Sequence, residues 1–69
     1  MRIIYSEHAK KRMKQRGITE FEIEQVLISP SFVKKSFEGR KIVVGSVKNR
    51  IIKMVFIETE NYIRVITVM

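Results

Sequence analysis

The hydrophobic period of this 69-residue chain changes at Pro30. Before Pro30 the apolar residues recur at helical spacing, and after it they occur in stretches rich in β-branched side chains. The four stretches lie near 31–37, 40–47, 50–58 and 61–68, and the turns between them lie at Glu38-Gly39, Lys48-Asn49 and Thr59-Glu60-Asn61. Turns this short join antiparallel neighbours. The pattern therefore predicts an α+β domain with two N-terminal helices packed on a four-stranded antiparallel sheet.

Capping residues define the two predicted helices. Ser6 is placed to cap the start of the first helix, and Gly17 is the expected left-handed residue after its end. Thr19 and Glu22 match a capping box that starts the second helix, which ends near Ile28. The very short connection through Gly17 predicts a helical hairpin or a sharp corner.

Two further features concern the sheet. Residues 2–5 read as a short strand before the first helix. Alternation places Ile52, Met54 and Phe56 on one strand face, where we expect them to pack against the helices. No linker, internal repeat or low-complexity segment interrupts residues 1–69, which are predicted to form a single domain.

Composition narrows the classes of function. The chain has 14 Lys and Arg against 7 Asp and Glu, a formal charge of +7, which favours a phosphate-rich partner. Without cysteine there is no disulfide or thiolate zinc site, and a single histidine excludes a multi-histidine metal site. We expect no metal or other cofactor. No apolar run is long enough to span a bilayer or act as a signal peptide, so a cytoplasmic location without membrane contact is expected.

His8, Arg12 and Arg16 recur every four residues along the first helix and are the candidate catalytic residues. RNA is cleaved without metal when its 2′-hydroxyl attacks the adjacent phosphate, which requires proton transfer and cations around the phosphorus. His8 suits the proton transfer, and the two arginines suit a bidentate phosphate contact. The structural alternative is that His8 packs at the helix start while the arginines pair with Glu22, Glu24 or backbone carbonyls.

A second candidate site lies in the predicted sheet. Its phosphate-binding residues are Arg40, Arg50, Lys53 and Arg64, and Tyr62, Phe32 or Phe37 is available to stack on an unpaired base. Parity along the last strand places Tyr62 and Arg64 on the same face. The alternative is an ordinary solvated basic face, with the aromatic residues in the core.

A set of residues spread along the chain resembles a known family. The residues that carry this resemblance are Ser6, His8, Ala9, Arg12, Met13, Arg16, Gly17, Ile18, Pro30 and the final 65–68. They resemble a group of small uncharacterised prokaryotic domains allied to the BrnT branch of the RelE/ParE toxin superfamily. The resemblance implies two helices on an antiparallel sheet, an endoribonuclease toxin activity and an antitoxin partner. RelE-like toxins often carry a catalytic Tyr or His near the C-terminus, whereas this chain ends in Val68-Met69.

Three functions follow from these observations. The first is a toxin of a toxin-antitoxin pair, a metal-independent endoribonuclease that cleaves RNA, free or as ribosome-bound mRNA. The second is a non-catalytic module that binds RNA or DNA, and the third is an interaction protein that receives an acidic partner. The residues leave the oligomeric state open, including a homodimer.

Overall fold

The computed structural model describes residues 2–69, in which two helices cover one face of a five-stranded sheet. In chain order the elements are β1 (Arg2–Tyr5), α1 (Glu7–Arg16), α2 (Glu20–Ile28), β2 (Phe32–Lys35), β3 (Arg40–Val47), β4 (Arg50–Glu58) and β5 (Tyr62–Val68). Met1, the first residue of the predicted domain, lies outside the described residues. Neither described helix is long and apolar enough to cross a membrane.

The predicted caps are confirmed. The Ser6 hydroxyl accepts a hydrogen bond from the Ala9 N–H at 3.0 Å, and Gly17 ends α1 with a φ of 65° in the left-handed region. Thr19 and Glu22 form both hydrogen bonds of the capping box at the start of α2. These contacts satisfy backbone groups that have no partner within the helices.

The sheet is mixed, with strand order β1-β5-β4-β3-β2. Strands β2 to β5 form the predicted antiparallel meander, but β1 adds a fifth strand parallel to β5. The prediction of a four-stranded antiparallel sheet is therefore incomplete. Ser6 fastens the end of β1 to β5, because its N–H donates to the Val65 carbonyl at 3.0 Å and its hydroxyl to the Ile66 carbonyl at 2.6 Å.

Two of the predicted turns have the backbone that tight antiparallel hairpins require. Glu38 and Gly39 have φ values of 59° and 74°, and Lys48 and Asn49 have values of 52° and 64°. Positive φ at both central residues is the requirement of a type I′ turn, whose twist matches that of the flanking strands. The locations predicted for these two turns are thus confirmed.

The helices cover what we call the inner face of the sheet. Buried side chains from both helices, from the connection between them and from β3, β4 and β5 form the core there: Ala9, Met13, Ile18, Ile23, Val26, Val43, Ile52, Met54, Phe56, Ile63, Val65 and Val68. Ile52, Met54 and Phe56 lie in it as predicted. Gly45 allows α2 to approach β3, because a Cβ atom there would lie 2.9 Å from Val26 Cγ1.

Candidate functional site

Neither described helix covers the opposite, outer face of the sheet. Strand register defines its members, since Lys53 pairs with Val44, Ile57 with Arg40 and Arg2 with Tyr62. Its cations and aromatic residues are Arg2, Phe32, Lys34, Arg40, Lys53, Tyr62 and Arg64. Between them lie the half-buried apolar residues Ile4, Ile42, Val44, Val55 and Ile57. The outer face is therefore a basic surface with apolar side chains between its charged residues.

No carboxylate of the described strands neutralises this surface. Glu58 is the one acidic residue in strands β1 to β5, and register places it beyond Phe56 on the inner face. There it accepts a hydrogen bond from the Lys41 ammonium at 3.0 Å. The outer-face cations therefore add their potentials without an opposing charge on the same face, which attracts an anionic ligand.

Most of the predicted phosphate-binding residues lie together. Arg40, Lys53, Tyr62 and Arg64 all belong to the outer face. Tyr62 and Arg64 are two positions apart on β5, and Arg2 pairs with Tyr62 from the neighbouring strand. The half-buried tyrosine is thus flanked by two arginines on one face.

Arg50 lies apart from that group, because it pairs with Val47 on the inner face. Its guanidinium donates to the carbonyls of Arg16 at 2.9 Å and Gly17 at 2.7 Å, and to Glu22 Oε1 at 3.3 Å. Arg50 therefore joins β4 to the corner between the two helices and is not part of the outer face.

The buried Glu22 carboxylate is held in its charged form. The hydrogen bond from the Thr19 backbone N–H lowers the pKa of Glu22, and the positive charge of Arg50 lowers it further, against the opposing effect of burial. The guanidinium and the capping box thus share one carboxylate.

His8, Arg12 and Arg16 form a second basic group, which we call the α1 ridge. His8 and Arg16 are exposed and Arg12 is half-buried. Within residues 2–69 no carboxylate lies within 4.0 Å of either arginine, and Glu22 is bound by Arg50 instead. Helix α1 lies against the inner side of β5, so the ridge and the outer face lie on opposite sides of the sheet. A single phosphate group is too small to contact both.

Sequence reasoning missed two members of the outer face and one unusual buried group. Arg2 joins the face only because β1 pairs with β5, whereas Lys34 could have been found from parity along β2. Tyr5 points to the inner face, and its hydroxyl is buried with no hydrogen-bond partner among the described residues. Burial, with a smaller effect from Glu20 and Glu24, raises the pKa of Tyr5 to about 12. No group of three potential metal-ligating side chains occurs within residues 2–69.

Comparison with known proteins adds a family. Residues 5–69 match the sequence model of a family described as a domain of unknown function (DUF4258). No curated protein and no solved structure matches the chain.

Proposed function

We propose that this chain, which belongs to the DUF4258 family of domains of unknown function, binds single-stranded RNA through the outer face of its sheet. The observation that carries the proposal is that Arg2 and Arg64 flank Tyr62 on a face to which no described strand contributes a carboxylate. Arginines and lysines neutralise phosphates, and an aromatic ring supplies a stacking surface for an unpaired base.

The apolar part of the outer face also suits a single strand. Unpaired bases expose their flat faces to water. Contact with half-buried side chains such as Val55 and Ile57 removes this surface from water and so favours binding. A duplex offers mainly phosphates to a flat sheet, because its bases are stacked inside. RNA is the nucleic acid that most commonly presents unpaired loops and ends, so it is the preferred ligand here.

Binding of a fluorescent single-stranded RNA, followed by anisotropy at several salt concentrations, tests this proposal. Tyr62→Ala is expected to weaken binding by roughly 5- to 150-fold, the range for loss of one base-stacking contact of about 1–3 kcal/mol. Arg64→Gln and Lys53→Gln are each expected to weaken binding and to reduce the slope of log affinity against log salt by about 0.7.

Lys48→Gln is the matched control, since Lys48 is exposed but lies in the turn between β3 and β4. It removes the same charge from a different surface and is expected to lose less affinity than Lys53→Gln. Equal losses from the two variants would assign the binding to net charge alone. An affinity that does not change with salt would exclude the nucleic-acid interface.

Cleavage of RNA by the α1 ridge is a second candidate function. It is supported by the exposure of His8 and Arg16, by the lack of an acidic partner for Arg12 or Arg16 within residues 2–69, and by the resemblance to BrnT and RelE-like toxins. In this candidate His8 transfers the proton while Arg12 and Arg16 stabilise the charge that develops on the phosphate. An antitoxin protein would then be the partner. The ridge would have to bind its phosphate independently of the outer face.

A further inference from the structure

A depression of about 240 Å³ lies at the end of the β2–β3 hairpin. Its lining residues are Lys35, Ser36, Gly39, Arg40 and Lys41. Three of these five carry a positive charge, and Ser36 adds a hydroxyl that is able to donate a hydrogen bond. The residues around the depression are therefore mainly cationic, although most of the surface that lines it comes from apolar atoms. Its charge, and not a polar lining, is what favours an anion.

Arg40 is held in place but lacks an acceptor. Its guanidinium carbon lies 5.8 Å from the centroid of the Phe37 ring, within cation–π distance. Its Nε atom is buried and has no hydrogen-bond partner among the described residues. A buried N–H without an acceptor carries an uncompensated desolvation cost, which a turn of the guanidinium towards an anionic ligand would relieve.

The charge around the depression suits a dianion. Lys35, Arg40 and Lys41 contribute three positive charges, and Glu58 offsets one of them through its contact with Lys41. The remaining two charges match a phosphate monoester, which carries about two negative charges at neutral pH, better than the single charge of a phosphodiester. Glu38 lies at the turn but does not line the depression.

Arg40 links the depression to the outer face, because it pairs with Ile57 on that face and also lines the depression. Register places Lys35 and Lys41, the other two cations of the lining, on the inner side of the hairpin. We propose that the depression binds a phosphate monoester and, resting on the proposed function, that it takes the terminal phosphate of an RNA on the outer face. An RNA with a phosphorylated end would thus bind more tightly than the same RNA with hydroxyl ends.

The test compares RNAs of one sequence that carry a 5′-phosphate, a 3′-phosphate or hydroxyls at both ends. We expect one of the phosphorylated RNAs to bind about tenfold more tightly than the hydroxyl form, as for charged hydrogen bonds. Arg40→Gln and Lys35→Gln should each remove most of this preference. Lys48→Gln, the matched control in the other hairpin turn, should keep it. Lys35 is exposed, so its variant tests the site even if Arg40→Gln does not fold.

A second measurement separates this site from the proposed function. Uridine 5′-monophosphate, with uridine as control, is titrated while the backbone amide resonances of Ser36 and Gly39 are followed by NMR. Shifts that occur with the monophosphate but not with uridine, and that are lost in Arg40→Gln, support the site. They support it even if no RNA binds, in which case only the RNA-binding proposal is wrong. The depression would be overturned as a phosphate site if all three RNAs bound with equal affinity and the monophosphate caused no shifts. If Arg64→Gln still weakened RNA binding in that case, the outer face would remain the RNA-binding surface.

Discussion

Glu22 and Arg50 show how much of the fold depends on single residues. The Glu22 carboxylate caps α2, and Arg50 contacts both this carboxylate and the carbonyls at the end of α1. An acid whose pKa is lowered by folding stabilises the folded state when it is ionised in both states. This contribution is present above the unfolded-state pKa of about 4.3 and is lost as the pH falls through the lower folded-state pKa.

We therefore expect Glu22→Gln to unfold at a lower temperature than the wild type at pH 7, and the difference to shrink as the pH falls below about 4.3. Thermal unfolding followed by circular dichroism across this range measures it. Glu60→Gln is the control, because Glu60 lies in an exposed turn and makes no ion pair within the described chain. A Glu22→Gln deficit of the same size at acid and neutral pH would show that shape, and not charge, is what Glu22 contributes.

Helix α2 and strand β3 approach each other at the single position in β3 that has no side chain. The Cβ of an alanine at Gly45 would lie within 3.3 Å of three side-chain carbons of Val26. The helix must then shift or the valine must move, because a packed core has no spare volume. Gly45→Ala is expected to lower the free energy of unfolding by about 1–3 kcal/mol, measured by urea denaturation.

A double-mutant cycle shows whether the contact with Val26 is the cause. Val26→Ala alone also destabilises, since it leaves a cavity in the core. In the double variant the smaller side chain makes room for the new methyl group, so the two losses should be less than additive by about 0.5 kcal/mol or more. Strict additivity would mean that Gly45 is required for its backbone and not for the close approach of α2.

At the scale of the whole molecule, the positive charge is divided between two sides. The α1 ridge lies with the helices, and the outer face lies across the sheet from it. The two proposed functions therefore respond to different substitutions. If the ridge cleaves RNA, His8→Ala should lower the cleavage rate by about 10² or more with little change in affinity, while Tyr62→Ala should mainly weaken affinity.

Purified variants incubated with RNA, together with regulated expression in a bacterium, measure the two effects. Each variant first needs a thermal midpoint close to that of the wild type, so that lost activity does not reflect unfolding. Lys11→Gln is a control on the same helix, since Lys11 is exposed and outside the ridge. A folded His8→Ala protein that cuts RNA and arrests growth as the wild type does would remove the ridge as a catalytic site.

The sequence by itself determined the elements whose causes are local. Both helices begin at capping residues that lie within a few positions of their first turn. The meander follows from the alternation of apolar and polar residues along its strands and from the short turns between them. Residues two positions apart in a strand point to the same face, which was sufficient to place Tyr62 and Arg64 together, opposite the buried Ile63. In each case the interacting groups are neighbours along the chain, so the pattern of residue types contains the needed information.

Only the tertiary structure decided the features that join distant parts of the chain. Arg2 reaches the outer face because β1 pairs with β5, about sixty positions away. Arg50 is not a phosphate-binding residue of the outer face, because its hydrogen-bond partners lie at the corner between α1 and α2. The separation of the α1 ridge from the outer face has the same origin. Local patterns give the direction of a side chain relative to its own strand or helix, whereas its partners depend on which elements pack together.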